Sequence, residues 1–263
     1  MLDAVESWIG ETAVHWVGHG SGRPAIILHG AGVDHREAEA CFEPALAAAG
    51  GLWRIYPDLP GMGCTAAPAA LQSADDVLDI LIGFADEVSG ADPILLVGHS
   101  AGAYYARGIA ARRPDRVLGL ALVCPLLPGV REVPEHHAMV AADDLGDEEF
   151  RSYFVVQTPA MFERYRRFVA PAAPLADQSA LERIGARWAL TGTDGPAYHG
   201  PTLVVAGRQD SIVGHAAAAD LVERYPRATL AVLDGAGHAL PHEQPEVLAC
   251  LLAEWVARTS AGC

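Results

Sequence analysis

The chain has 263 residues, of which 51% are hydrophobic, enough to build one large domain around a sizeable core. Its formal net charge is −15, and all 18 of its basic residues are arginines. This excess of negative charge argues against nucleic acid and anionic membranes as partners, because both bind clustered positive charge.

Neither the N-terminus nor the cysteines show a targeting or disulfide pattern. The first residues lack the basic start and apolar core of a signal peptide, and no apolar run is long enough to span a bilayer. The five cysteines are scattered, odd in number and without a Cys-x-x-Cys spacing. We therefore expect reduced thiols, no metal site and a cytoplasmic protein.

The first part of the chain alternates between short apolar runs and helical segments. The run "TAVHWV" alternates as a half-exposed strand does, whereas "PAIILHG" and "LWRIYPDLPGMG" contain runs typical of buried strands. Residues 36–49 are a predicted helix closed by two glycines. Ser73 is the predicted start of a second helix that reaches Ser89, with two aspartates in its first turn.

The same alternation continues to the end of the chain. Four further runs, "PILLVG", "VLGLALV", "TLVVAG" and "ATLAVLDG", predict strands, and residues 101–113, 215–225 and 243–258 predict helices. Short apolar strands that alternate with helices predict an α/β fold. It would be a doubly wound, mostly parallel sheet with helices on both faces.

One stretch interrupts this alternation. Residues 125–200 contain no convincing buried strand but carry prolines, charged clusters and scattered aromatic residues. We interpret them as a mostly helical insertion into a core formed by residues 1–124 and 201–263. The insertion begins at the carboxyl end of a strand, the edge at which sites form in doubly wound sheets, so we expect it to roof the pocket there.

A serine lies in a sharp strand–turn–helix context. In "GHSAG", Ser100 is flanked at two residues on either side by Gly98 and Gly102, after an apolar run and before a helix. Larger side chains at these positions would collide with the strand and helix backbones. Such a turn projects the hydroxyl and leaves free N–H groups at the helix start.

An acid and a histidine follow this serine at later strand ends. Asp210 stands in "GRQD" after one strand, and His238 stands in "GAGH" after the next. A serine hydroxyl is a weak nucleophile that needs a base, and the base needs an orienting partner. The order serine, aspartate, histidine supplies all three groups.

With the motifs "LHGAG", "DLPGMG", "GHSAG", "GRQD" and "GAGH", the chain resembles the α/β-hydrolase superfamily from His29 to its C-terminal helix. The resemblance implies Ser100 as nucleophile, Asp210 as acid and His238 as base. It also implies an oxyanion hole made by the backbone N–H groups of Ala31 and Ala101. The insertion matches the position of the variable cap of this superfamily.

Several neighbouring residues compete for these roles. Asp220 is a rival acid but lies in a predicted helix, and His242 is a rival base that we expect to cap or to face solvent. His29 is expected to bond loop backbone, Asp34 to cap a helix, and Asp58 to tether a loop. The residues that we suggest for the substrate pocket are Gly32, His99, Val213 and Trp188.

The resulting expectation is a hydrolase that acts on a small-molecule carboxylic ester or lactone without a cofactor. The loop "HGAGVDH" lacks the longer glycine run typical of carbon–carbon bond hydrolases, which favours an ester or lactone. A carbon–carbon bond hydrolase, a thioesterase, a perhydrolase and a non-catalytic ligand-binding member stay open. The oligomeric state is not predicted.

Overall fold

Eight strands form one sheet in the computed structural model, which describes residues 5–128, 132–141, 144–193 and 198–260. In chain order the strands are β1 (Val5–Ile9), β2 (Thr12–Gly20), β3 (Arg23–Leu28), β4 (Leu52–Pro57), β5 (Ile94–His99), β6 (Val117–Val123), β7 (Thr202–Gly207) and β8 (Ala228–Leu233). They lie side by side in the order β1-β2-β4-β3-β5-β6-β7-β8. The run from β4 to β8 is parallel, and β1 and β2 are antiparallel to their neighbours.

The seven strands predicted from sequence are all present, and β1 was missed. Strand β1 lies at the edge of the sheet, most of its residues are exposed, and Trp8 is 67% exposed. An edge strand that is largely in solvent has no continuous apolar run for sequence reasoning to detect. The central strands β5 and β7 are buried at every residue, as expected for parallel strands covered on both faces.

Helices cover both faces of the sheet. Within the described residues they are α1 (His35–Ala49), α2 (Ala74–Ser89), α3 (Ala101–Arg112), α4 (Glu148–Tyr153), α5 (Pro159–Arg164), α6 (Gln178–Gly185), α7 (Asp220–Arg224), α8 (Leu240–Glu243) and α9 (Pro245–Ser260). Ile26 and Leu28 of β3 pack in one core cluster with α2 and α3. Ala25 and Ile27 pack in a second cluster with α1 and α9. The predicted doubly wound α/β fold is confirmed.

Two predicted helices differ in detail from the structure. Residues 215–225 form a short 3₁₀ turn, Ala216–Ala218, followed by α7, in place of one continuous helix. The last long helix begins at Pro245, two residues after the predicted start. Its preceding residue, Gln244, has a non-helical backbone, which a following proline favours.

The middle of the insertion, residues 148–185, consists mostly of short helices that pack around aromatic residues of their own, whereas its other described residues are not helical. Between β6 and β7 the chain forms α4, α5, a π-helical turn (Tyr165–Val169), a 3₁₀ segment (Ala170–Leu175) and α6. Phe150, Phe154 and Tyr165 form a cluster with Val33 and Ala239 of the core, so the insertion packs directly on the sheet domain. In the described part of the insertion, the only β-pairing is a single bridge.

None of the helices within the described ranges is both long enough and apolar enough to cross a membrane.

Replacing the N-cap of α2 tests how this helix is anchored. Ser73 Oγ accepts a hydrogen bond from the Asp76 N–H at 3.2 Å and donates to Asp76 Oδ2 at 2.9 Å. We expect Ser73→Ala to lower the free energy of unfolding by about 1 kcal/mol. For a chain of this length the thermal midpoint falls by about 2–4 °C. Urea titration and calorimetry measure both quantities.

The matched control is Ser179→Ala. Ser179 lies exposed in the first turn of α6, so losing its hydroxyl should leave the midpoint almost unchanged. Equal midpoints for the two variants would show that the Ser73 cap contributes nothing.

Candidate active site

The turn between β5 and α3 places Ser100 at a sharp bend of the backbone. Ser100 is the N-cap residue of α3 and has a φ of 52°, a left-handed conformation that is uncommon for residues other than glycine. A Cβ on Gly98 would lie 2.4 Å from the carbonyl oxygen of Gly102. A Cβ on Gly102 would lie 2.2 Å from the carbonyl oxygen of Leu28. Glycine is therefore required at both positions, because α3 lies directly against β5 and β3.

Side chains from the loops after β5, β7 and β8 meet at this bend. Asp210 follows β7 and His238 follows β8, while Ser100 follows β5. His238 Nε2 lies 2.9 Å from Ser100 Oγ, and His238 Nδ1 lies 2.9 Å from Asp210 Oδ2. With Nδ1–H donating to the carboxylate, Nε2 is left to accept the serine proton. This is the geometry that general-base activation of a hydroxyl requires.

The carboxylate of Asp210 is held in its ionised form. Burial raises the pKa of Asp210, but the hydrogen bond and charge of His238, with two backbone N–H groups, hold it below its ordinary value. Those N–H groups belong to Ile212 and Val213, and both donate to Asp210 Oδ1 at 2.9 Å. The rival Asp220 is exposed at the start of α7 and does not contact His238.

The backbone N–H groups of Ala31 and Ala101, predicted for an oxyanion hole, have no backbone acceptor among the described residues. The N–H of Ala101 is at the first residue of α3, where a helix has no carbonyl of its own to accept it. The N–H of Ala31 lies in the loop after β3. Ala31 and Ser100 line one cavity. Free donors at such a place suit a negative charge that develops on a carbonyl oxygen.

The cavity next to Ser100 and His238 has a volume of about 290 Å³. Its core wall consists of residues 30–33, His99, Ser100, Ile212 and His238. Its other wall comes from the insertion and consists of Glu149, Ser152, Tyr153, Tyr165 and Val169. Gly32 and His99, which the sequence suggested for a pocket, both line it.

Trp188 and Val213, the other two suggested pocket residues, lie elsewhere. The rings of Trp188 and Tyr104 lie 5.7 Å apart and are tilted by 36°, and the Trp188 carbonyl accepts the Tyr104 hydroxyl at 2.9 Å. Trp188 is 41% exposed. Val213 is buried in the cluster formed with α1 and α9, and its neighbour Ile212 faces the cavity in its place. The sequence alone could not show against which part of the sheet domain the segment around Trp188 packs.

His99 is a buried, uncharged neighbour of the serine. Burial lowers the pKa of His99 to about 4, so the imidazole is neutral near pH 7. Its Nε2–H donates to the backbone carbonyl of His238 at 3.0 Å, and the two rings lie 5.1 Å apart. His99 thus holds the loop that carries His238 and lines the cavity.

His242, the rival base, does not face solvent as the sequence suggested. It is fully buried, with Nε2 3.2 Å from Glu37 Oε1, and Arg164 Nε donates to its Nδ1 at 3.0 Å. Burial raises the pKa of Glu37, but the hydrogen bond from His242 and the surrounding imidazoles hold it below its ordinary value. The expectation was wrong because α8 turns His242 inward, where these two side chains satisfy both ring nitrogens.

Three loop residues have the contacts predicted for them. His29 Nε2 accepts the N–H of Leu59 at 2.9 Å, and Asp34 is the N-cap of α1. Asp58 is fully buried and accepts hydrogen bonds from the N–H groups of His35 and Cys64 at 2.8 Å. These bonds fix the loops after β3 and β4 beneath the cavity.

Sequence reasoning missed the polar residues that the insertion brings to the cavity, Glu149, Tyr153 and Tyr165. One signal was present, because Asp147 begins α4 and accepts the Phe150 N–H at 2.8 Å, an acidic N-cap before an acidic first turn. That signal predicts a helix, but it does not reveal which face of the helix meets Ser100.

Three groups of side chains have the chemistry of metal ligands, with one ligand atom per residue and all three atoms within 4.8 Å of one another. The groups are His99 with Cys124 and His238, His15 with His35 and Asp58, and Glu37 with Cys41 and His242. In each group at least one residue already has another partner: His238 contacts Asp210, Asp58 accepts two backbone N–H groups, and His242 accepts from an arginine. The absence of a metal or cofactor stays a prediction from sequence.

Comparison with known proteins identifies the family. The profile of the Alpha/beta hydrolase family matches residues 25–249, so the chain belongs to this family. Its structure is similar to that of an alpha/beta superfamily hydrolase from Oenococcus oeni PSU-1. That similarity has a TM-score of 0.87 and 28% identity, and it covers 94% of this chain and 96% of the other.

Two curated proteins are similar in sequence. A 2-hydroxymuconate semialdehyde hydrolase from Pseudomonas sp. (strain CF600) is 27% identical, over 92% of this chain and 89% of that protein. The biotin biosynthesis bifunctional protein BioHC from Cellvibrio japonicus (strain Ueda107) is 28% identical over 86% of this chain. The similarity spans only 46% of the length of BioHC.

The close approach of α3 to β3 can be tested with Gly102→Ala. The added methyl group would lie 2.2 Å from a backbone carbonyl oxygen that cannot move without displacing β3. We expect the free energy of unfolding to fall by about 1–3 kcal/mol, the usual cost of overpacking a core. Urea denaturation measures the change.

Gly185→Ala is the control for this substitution. Gly185 also lies in a helix, but a Cβ there meets nothing within 4 Å, so alanine should be neutral or stabilising by up to about 1 kcal/mol. If Gly102→Ala proved as stable as Gly185→Ala, the packing argument for the turn would be wrong.

Proposed function

We propose that this protein is a serine hydrolase that cleaves a carboxylic ester or lactone of a small molecule through an acyl-enzyme intermediate. The observation that carries the proposal is the pair of 2.9 Å hydrogen bonds from Ser100 to His238 and from His238 to Asp210, beside an open cavity. A serine, an imidazole and a buried carboxylate in this order activate a hydroxyl as a nucleophile.

The proposed reaction has two halves. Ser100 Oγ attacks the carbonyl carbon while His238 Nε2 takes the hydroxyl proton and then delivers it to the leaving alcohol. Water attacks the acyl-enzyme, His238 again takes a proton, and the acid leaves as Ser100 is restored. Asp210 orients the imidazole and stabilises its charged form. The N–H groups of Ala31 and Ala101 bind the oxyanion, and losing one such donor costs about 10²–10³ in rate.

In this proposal residues 125–200 act as a cap over a core formed by residues 1–124 and 201–263. Its support is the wall that α4 and the π-helical turn add to the cavity opposite Ser100. A small-molecule substrate fits a cavity of about 290 Å³. The cytoplasmic location, the cofactor-free reaction and the absence of nucleic-acid or membrane partners remain predictions from the sequence.

A second candidate is a carbon–carbon bond hydrolase with the same catalytic residues. It is favoured by the 27% identity to a protein named 2-hydroxymuconate semialdehyde hydrolase, whose named substrate is a semialdehyde and not an ester. This similarity favours carbon–carbon bond cleavage, whereas the short glycine loop after β3 favours an ester or lactone. Thioesters and perhydrolysis use the same nucleophile and belong in the same test.

The proposal is tested with a panel of small esters, lactones, thioesters and vinylogous 1,5-diketones, comparing the parent protein with Ser100→Ala. We expect esters or lactones to give the highest kcat/KM in the parent. Because the nucleophile is removed, kcat on any substrate should fall by at least about 10³-fold in Ser100→Ala. Turnover confined to diketones would select the second candidate, and a Ser100→Ala variant with parental kcat would refute both.

The acid is tested by comparing Asp210→Asn with Asp220→Asn. The asparagine at position 210 cannot stabilise the charged imidazole and favours the wrong tautomer, so kcat should fall by about 10⁴-fold. Asp220 is exposed and distant from His238, so its variant should keep the parental kcat. Steady-state kinetics on the best ester measures both, and reversed results would assign the acid to Asp220.

A further inference from the structure

The cavity beside Ser100 has an unbalanced charge. Among the described residues that line it, Glu149 is the only carboxylate, and none is an arginine. The two histidines of the lining are His99, which is neutral near pH 7, and the base His238. A substrate with its carbonyl at Ser100 and the rest of its body in this cavity therefore lies near one fixed negative charge.

The Glu149 carboxylate is held in place by the neighbouring wall. Tyr165, which also lines the cavity, donates its hydroxyl to Glu149 Oε2 at 3.1 Å. Burial and the carboxylates of Glu149 and Asp147 raise the pKa of Tyr165, so the hydroxyl keeps its proton and remains a donor. No described group donates to the other oxygen, Oε1, which leaves that oxygen available to a ligand.

No described arginine forms an ion pair with Glu149, and those on the π-helical turn contact Glu163 and Phe168 instead. Arg151, two residues after Glu149, donates to the backbone carbonyl of Gly146 at 2.6 Å. Arg164 donates to His242, and Arg36 pairs with Asp34. None of these three side chains lines the cavity or contacts Glu149. The negative charge is therefore not neutralised from within the described part of the protein.

Of the two tyrosines next to Glu149, Tyr165 is buried against other aromatic rings, whereas Tyr153 adds an aromatic ring to the cavity wall. Tyr153 and Tyr165 both line the cavity, and the Tyr153 ring lies edge-on to His238 at 6.1 Å, which brings this wall close to the reacting atoms. The face of a tyrosine ring attracts an ammonium group, and a nearby carboxylate adds to that attraction. An anionic group in the same position loses hydration and meets a like charge.

We propose that the catalytic cavity selects its substrate by charge. Glu149, held by the Tyr165 hydroxyl, and Tyr153 form a subsite that accepts a cationic group such as an ammonium and rejects an anionic one. This inference rests on the proposed function, because it assumes that the substrate reacts at Ser100. Glu149 is then the residue that determines the preference.

The test uses three aryl esters that differ only at the end of the acyl chain, where one carries tert-butyl, one trimethylammonium and one sulfonate. The ratio of kcat/KM for the trimethylammonium ester to that for the sulfonate ester should be at least about tenfold in the parent protein. Removing the charge with Glu149→Gln should lower this ratio by about fivefold or more. The ratio in the parent should also shrink as the salt concentration is raised.

Glu148→Gln is the matched control. Both glutamates are exposed and lie in the first turn of α4, but only Glu149 lines the cavity. Glu148→Gln therefore changes the net charge and the helix terminus as Glu149→Gln does, without altering the cavity wall. We expect it to leave the ratio at the parental value. An unchanged ratio in Glu149→Gln, or an equal fall in both variants, would overturn the subsite.

Binding separates this inference from the proposed reaction. Calorimetry with Ser100→Ala gives the dissociation constants of the same three esters without turnover, and the trimethylammonium ester should bind about tenfold more tightly than the sulfonate. If no ester is hydrolysed but this order of affinities holds and disappears with Glu149→Gln, the reaction is wrong and the subsite stands. If esters are hydrolysed with no dependence on charge, the reaction stands and the subsite is wrong.

Discussion

The left-handed turn at Ser100 is the constraint on which the rest of this site depends. A serine at φ 52° is strained, and it persists because β5 and α3 fix the chain on both sides. That packing needs two positions without a Cβ, Gly98 and Gly102, at which backbone approaches backbone. The strain directs the hydroxyl outward to His238 and leaves the N–H groups at the start of α3 free.

The loop that carries His238 is held by groups from opposite sides. His99 donates to the His238 carbonyl, and the half-buried Glu243 accepts the Gly237 N–H at 2.7 Å. The other oxygen of Glu243 accepts the N–H groups of Val155 and Val156, at 2.7 and 3.1 Å. Glu243 therefore links the loop that carries His238 to the insertion through hydrogen bonds from both segments. Burial raises the pKa of Glu243, which makes this link weaken in acid before an ordinary carboxylate would.

Much of this architecture was predictable from sequence because it depends on local signals. Buried parallel strands are continuous apolar runs, and the turn at Ser100 requires glycines at a fixed spacing, so both are visible in the residues alone. Strand β1 was missed because an exposed edge carries little apolar signal. The predictions for His242 and Trp188 were wrong because the burial and orientation of a side chain depend on how segments that are distant in sequence pack together. For the same reason the sequence could not show that Glu149 lines the cavity.

The most direct test of the account is to label the protein with a fluorophosphonate and locate the adduct by peptide mass spectrometry. Only a serine with an activated hydroxyl reacts at an appreciable rate, so this experiment examines the hydrogen-bonded chain through Ser100 and needs no knowledge of the substrate. If Ser100 is the activated serine, one equivalent of adduct per protein chain is expected, on the peptide that contains Ser100. An adduct at another residue, or none on the folded protein, would contradict it.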